Sequence, residues 1–123
     1  MTLLEVLVAT LLLGVAAVLV FSAFAVALRA AALASGLNTA TGLAEEALAT
    51  LSAAPCGSSF QAAIPAEVEV RGLRFHRQTS VQRVGPRLWE LTVNVTWTQA
   101  RRARTVTLGT LRHVSAACDF VGQ

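Results

Sequence analysis

From Met1 to Leu28 only Thr2, Glu5, Thr10, Gly14 and Ser22 interrupt an otherwise hydrophobic run, and of these only Glu5 is charged. Between Glu5 and the next charge, Arg29, lie 23 uncharged residues. As an α-helix they would extend about 35 Å, enough to cross a hydrocarbon core about 30 Å thick. A cleavable secretory signal is the competing reading, but its apolar stretch is about 7–15 residues long and follows positive charge. No Lys or Arg precedes this run. Beyond Arg29 the periodicity stays helical but becomes one-sided. Leu33, Leu37, Ala40, Ala44, Ala47 or Leu48, and Leu51 recur three or four residues apart, with Asn38, Thr39, Glu45 and Glu46 mostly off that stripe. Gly36 and Gly42 mark bends or close packing, and Pro55 ends the pattern. Positions 2–54 predict one helix about 80 Å long, apolar all round in its first half and needing cover on one face in its second.

After the turn cluster Pro55-Cys56-Gly57-Ser58-Ser59 and a loop to about Pro65, the period changes to two. In Leu88–Gln99, Trp89, Leu91, Val93, Val95 and Trp97 alternate with Glu90, Thr92, Asn94, Thr96 and Thr98, as a half-buried strand requires. Leu73–Val84 alternates less cleanly. Leu73, Phe75, Thr79 and Val81 are in phase, while Arg77 and Arg83 interrupt, which suggests an edge or a strand end. Gly85-Pro86 turns the chain between these runs. In a third run, Arg104–Leu111, Val106 and Leu108 share a face, and Gly109 is expected to shift the phase so that Leu111 follows a bulge. Glu67–Arg71 offers a short fourth strand. The predicted class is α+β: a long N-terminal helix packed on an antiparallel sheet of three or four strands, each supplying the apolar surface the other must cover. Three segments follow: 1–28, the membrane and assembly half of the helix; 29–54, its amphipathic half; and 55–123, a β head packed on 29–54.

Composition narrows the function. The 123 residues suffice for one domain, and 54% are hydrophobic against a usual share of about 45–50%. The excess sits in the first 28 residues, which excludes a disordered or collagen-like chain and argues for a membrane-anchored small domain. The other 95 residues leave little room for a large catalytic cleft, so an enzyme is not expected. All ten basic residues are Arg, and from Pro55 onward nine face Glu67, Glu69, Glu90 and Asp119, about +5. Arg71, Arg74, Arg87, Arg101, Arg102 and Arg104 are candidate contacts to DNA or another partner, with solvated edge-strand arginines as the plainer alternative. Cys56 and Cys118 stand too far apart for a zinc site or a redox C-x-x-C motif. A disulfide between them, closed outside the reducing cytoplasm, is preferred over two free thiols. His76 and His113 join no metal or nucleophile pattern, and Trp89 and Trp97 read as core rather than as a base-stacking platform. No cofactor or metal is expected.

The opening Met1-Thr2-Leu3-Leu4-Glu5-Val6-Leu7-Val8-Ala9-Thr10 resembles the amino terminus of a mature type IV pilin or type II secretion pseudopilin, F-T-L-(I/L)-E followed by an apolar run. The motif covers about a tenth of the chain, and the helix-then-sheet order extends the likeness over the rest. The resemblance implies a pilin-like fold and removal of a short leader by a prepilin peptidase. It also implies N-methylation of Met1, residence in the inner membrane, and then incorporation with other pilin or pseudopilin subunits into a periplasmic or cell-surface filament. Met1 in place of the usual Phe fits a minor subunit that initiates or caps the filament, and Ser22, where major pilins often carry Pro, weakens the expectation of a helix break near Gly14. The resemblance implies that Glu5 pairs with the amino terminus of a neighbouring subunit, or with its own before assembly. A carboxylate at the centre of a membrane helix costs about 2.5–3.5 kcal/mol, and less near an end, so such pairing fixes axial register. Thr2 has a minor part in this reading. The alternatives are a membrane-anchored partner-binding protein and a DNA-uptake receptor.

Overall fold

The computed structural model describes residues 2–55 and 64–114, which fall into two compact units divided between Ser35 and Gly36. One helix, α1 (Leu3–Ala53), carries the chain through both. Alanine and leucine, both strong helix formers, dominate it. It continues without interruption past Gly14 and Ser22. The hydroxyls in its apolar part bond back to the helix itself. Thr10 Oγ1 donates to the Val6 and Leu7 carbonyls at 3.0 and 2.9 Å, and Ser22 Oγ donates to the Leu19 carbonyl at 2.8 Å. No polar side chain there needs water as a partner except Glu5. Every residue from Thr2 to Ala32 is exposed, and the helix is long and apolar enough to cross a membrane.

In the second unit Gly36, Ala40, Ala44, Ala47 and Leu51 are the buried residues of α1. They face a four-stranded antiparallel sheet in the order β1 (Glu67–Val70), β2 (Leu73–Gly85), β3 (Leu88–Gln99), β4 (Arg102–His113). This is the expected α+β layout, like that of a pilin. Size is divided unequally between the layers. The helix contributes mostly alanines, and the sheet answers with Phe75, Trp89, Leu91, Val93, Val95 and Trp97, so the large side chains fill the gap over a nearly smooth helix face. Phe75 and Trp97 meet with ring centroids 5.7 Å apart. Ile64 and Val114 close the core.

The buried stripe differs from the predicted one at its start. Leu37 is half exposed, and Gly36 takes the buried place. The reason is steric. A Cβ at position 36 would run into Gln99 Oε1 and lie 3.3 Å from Trp97 Nε1, whose N–H donates to the same Gln99 oxygen. Glycine lets the helix approach the end of β3 this closely without displacing the Gln99 amide from its bond with Trp97.

Two strand expectations are corrected. β2 is not an edge: it lies between β1 and β3, and Arg77 is buried on its core face. Arg77 does not end the strand because backbone oxygens receive it. Its Nε donates to the Pro65 carbonyl at 3.0 Å and its Nη1 to the Leu43 carbonyl at 3.4 Å, with the exposed Glu46 carboxylate 3.8 Å away. In β4, Gly109 pairs in regular register with Thr92, and Leu111 falls on the solvent face, 61% exposed. The register shift lies instead between Arg83 and Gly85, beside the β2–β3 turn. There Arg83 donates to the carbonyls of Gly85 and Pro86 at 3.2 and 2.9 Å.

The far end of α1 is held from a distance in sequence. No basic residue occupies its last turn. Arg112 of β4 supplies the charge, its Nη1 donating to the Leu51 and Ala54 carbonyls at 3.1 and 3.0 Å, where the helix exposes unpaired oxygens and the negative end of its dipole.

Gly36→Leu is expected to cost about 1–3 kcal/mol by overpacking. Gly42→Ala, whose added Cβ meets nothing, should instead gain about 1 kcal/mol in helix propensity. Urea unfolding followed by tryptophan fluorescence tests the pair, and a similar cost at both positions would refute the close approach. Arg77→Ala should lose about 2–3 kcal/mol in the same assay, because two carbonyls lose a charged donor.

Candidate functional site

Two regions carry the residues singled out by the sequence, one in each unit. In the first, Thr2 is the N-cap of α1. Its Oγ1 and its carbonyl accept from the Glu5 N–H at 3.4 and 3.1 Å, and the carbonyl also accepts from Val6 N–H at 3.3 Å. Thr2-Leu3-Leu4-Glu5 thus has the spacing of a capping box, a signal legible in the sequence that gives Thr2 more than a minor part. Glu5 occupies the third helical position, where a carboxylate offsets the positive end of the helix dipole. It is exposed, and among the described residues it makes no ion pair. Around it Val6, Ala9, Thr10 and Leu13 form an apolar groove along the bare helix. A carboxylate with no cation beside it among the described residues, at the tip of a wholly apolar surface, is chemically suited to accept a positive group. Met1 lies outside the described residues, as do Cys56 and Cys118, on which the expected disulfide falls.

In the second unit, the antiparallel order β1-β2-β3-β4 puts the β1–β2 and β3–β4 turns at the same end of the sheet. That brings five of the six candidate arginines together. Arg71 is in the first turn and Arg101 in the second; Arg102 opens β4; Arg74 points to the solvent face of β2; and Arg104 stands opposite Trp97 in the register, half-buried on the core face of the sheet. Arg87 is separated from them, in the β2–β3 turn at the opposite end, where its carbonyl accepts from Val114 N–H at 2.9 Å. The acid nearest the cluster is Glu69, opposite Arg74 in the register. The same end holds a shallow cavity of about 370 Å³ lined by Gly72, Arg74, His76, Thr96, Thr98 and Ala103. His76 Nδ1 lies 3.3 Å from Glu67 Oε1 at its rim.

The backbone at this end is unusual. Arg71, Ala100 and Arg101 have φ of 51°, 52° and 61°, beside Gly72 at 78°. Both turns therefore take the left-handed geometry that matches the twist of a tight hairpin, normally supplied by Asn-Gly or Gly-Gly. In the β3–β4 turn neither residue is glycine, and each left-handed non-glycine residue costs about 1–2 kcal/mol. Arg104 Nε is buried with no hydrogen-bond partner. The residues that reasoning from sequence passed over are Arg77 and Arg112, whose guanidinium groups tie β2 and β4 to helix carbonyls, and Gly36. The basic count was visible, but which arginines face the helix depends on the strand register.

Comparison of the chain with protein-family models, with curated proteins and with solved structures returned no match.

Replacing Ala100-Arg101 by Asn-Gly is expected to stabilise the fold by about 1–2 kcal/mol, measured by urea unfolding, because the left-handed geometry would no longer oppose a Cβ at its more demanding position. An unchanged or lowered midpoint would show that the turn is not strained.

Proposed function

We propose that the chain is a minor subunit of a type IV pilus or a type II secretion pseudopilus, a structural protein that initiates or caps filament assembly and catalyses nothing. One observation carries this reading: the buried residues of α1 begin at Gly36, while Thr2 to Ala32 is exposed throughout and begins with a capped carboxylate that makes no ion pair among the described residues. Such a surface needs a non-aqueous neighbour. The inner membrane supplies it before assembly, and the helices of other pilin or pseudopilin subunits supply it afterwards, in a filament in the periplasm or at the cell surface. Glu5 then selects register. A subunit displaced along the bundle leaves its carboxylate unmatched in apolar surroundings, whereas correct seating pairs it with the amino terminus of a neighbour, the methylated Met1 left by a prepilin peptidase.

A second reading, a membrane-anchored protein whose head holds a partner, takes support from the arginine cluster at the two turns. The readings part at Glu5. Under the first, Glu5→Ala abolishes incorporation into filaments while carbonate-resistant membrane insertion survives. Thr2→Ala, which removes the cap and keeps the carboxylate, should reduce incorporation far less. Normal incorporation of the Glu5→Ala protein, scored by immunoblotting of sheared filaments, would discard the pilin reading in favour of the anchor.

A further inference from the structure

We propose that the arginine-bearing end of the sheet docks on the phosphate groups of an anionic lipid leaflet, so that the head is held by its own turns as well as by its helix. The proposal rests on the membrane-anchored reading of α1 and adds a lipid class and a set of contact residues to it.

The first support is charge without internal use. Arg71, Arg74, Arg101 and Arg102, all exposed, against Glu67 and Glu69 leave +2 at one end of a sheet four strands wide. None of these four makes an ion pair among the described residues, whereas Arg104 is half-buried on the core face opposite Trp97. Arg77, Arg83 and Arg112, by contrast, are all engaged with backbone carbonyls. The second is backbone strain. Arg71 and Arg101 sit at the tips of both hairpins in a conformation suited to glycine or asparagine. Both arginines are exposed, and among the described residues no side-chain hydrogen bond or ion pair of theirs offsets the cost of that conformation.

The third support is where this end of the sheet lies on the chain. Gly36, the first residue of the second unit, is the part of the helix that touches Trp97 and Gln99, immediately before the Ala100-Arg101 turn. The basic end is therefore the end at which the helix enters the head. The uncharged run stops at Arg29, and seven helical residues later, a rise of about 10 Å, the chain reaches Gly36. Whatever the orientation of the head, that tether keeps the arginines within a short distance of the headgroups, at a high effective concentration of lipid. Guanidinium groups bind phosphate through paired hydrogen bonds, and each basic residue near an anionic leaflet strengthens association by roughly fivefold. A nucleic acid offers the same phosphate chemistry, but it must be recruited from solution, whereas the short tether between Arg29 and Gly36 keeps lipid at hand in any orientation of the head, so lipid is the favoured source.

The test uses the full chain in nanodiscs of phosphatidylcholine, with or without phosphatidylglycerol, and follows amide hydrogen exchange in the two turns. Exchange around residues 71–72 and 100–102 should slow by about fivefold or more in the anionic discs, and the difference should vanish at about 1 M salt. It should also vanish in the Arg71→Gln/Arg101→Gln/Arg102→Gln variant. Arg101→Gly separates lipid contact from folding: it should raise the melting temperature by relieving the turn while shrinking the lipid effect. Equal exchange in both kinds of disc, with insertion verified by flotation after a carbonate wash, would overturn the proposal. Protection in neutral discs by inorganic phosphate, or by a short DNA duplex when phosphatidylglycerol gives none, would overturn it in favour of that other phosphate source. A chain that does not insert at all would instead sink the anchored reading on which the proposal stands.

Discussion

An exposed apolar helix surface is unstable in water, and the amount of sheet available to cover it sets the terms for this molecule. Alanines at positions 40, 44 and 47 and Leu51 bury against a sheet face built from two tryptophans, a phenylalanine and branched aliphatics. That packing stabilises the second unit through apolar burial, worth about 25 cal/mol per Å² removed from water. Nothing comparable shields the helix before Gly36. Leu3 remains 82% exposed and Phe21 73% exposed. The same driving force that folds the head therefore favours a non-aqueous neighbour around the first part of α1, which is long and apolar enough to cross a membrane.

Arginine has two physical uses here. Where a guanidinium lies among apolar side chains it has backbone carbonyls to meet it: Arg77 ties β2 to the middle of the buried helix segment and Arg112 ties β4 to its end. These bonds join remote parts of the chain, so they select the way the helix lies across the strands as well as stabilising it. At the turns the arginines point outward, and the strained backbone beneath them shows that local stability has been given up there. Interior residues of the first kind set the fold, and surface residues of the second kind leave a positive charge at one end of the sheet.

Much of this architecture was legible in periodicity. The switch from three-and-four spacing to strict alternation located α1 and β3 closely, because each element's own geometry dictates which positions meet a neighbour. The reading failed where one residue broke its local pattern for a distant reason. Arg77 looked like the mark of an edge, but carbonyls from Leu43 and Pro65 make its burial tolerable. Gly109 looked like a bulge, yet its lack of a side chain disturbs nothing opposite Thr92, and the register shifts near Gly85 instead. For the candidate site, Thr2 and Glu5 carried a capping signal in plain view, and the arginines announced themselves only as a number.

The sequence by itself determined that the chain has an apolar helix of membrane length, a second helical stretch needing cover on one face, and strands able to provide it. These follow from the spacing of hydrophobic residues, which is a local property. Only the tertiary structure decided that Gly36 rather than Leu37 enters the contact, that Arg77 and Arg112 face inward, and that Arg87 stands apart from the other five arginines. Each of those outcomes depends on strand order, register and the closeness of helix to sheet. Those quantities arise when residues far apart in the chain compete for the same space and the same hydrogen-bonding partners, and no short window of sequence contains that competition.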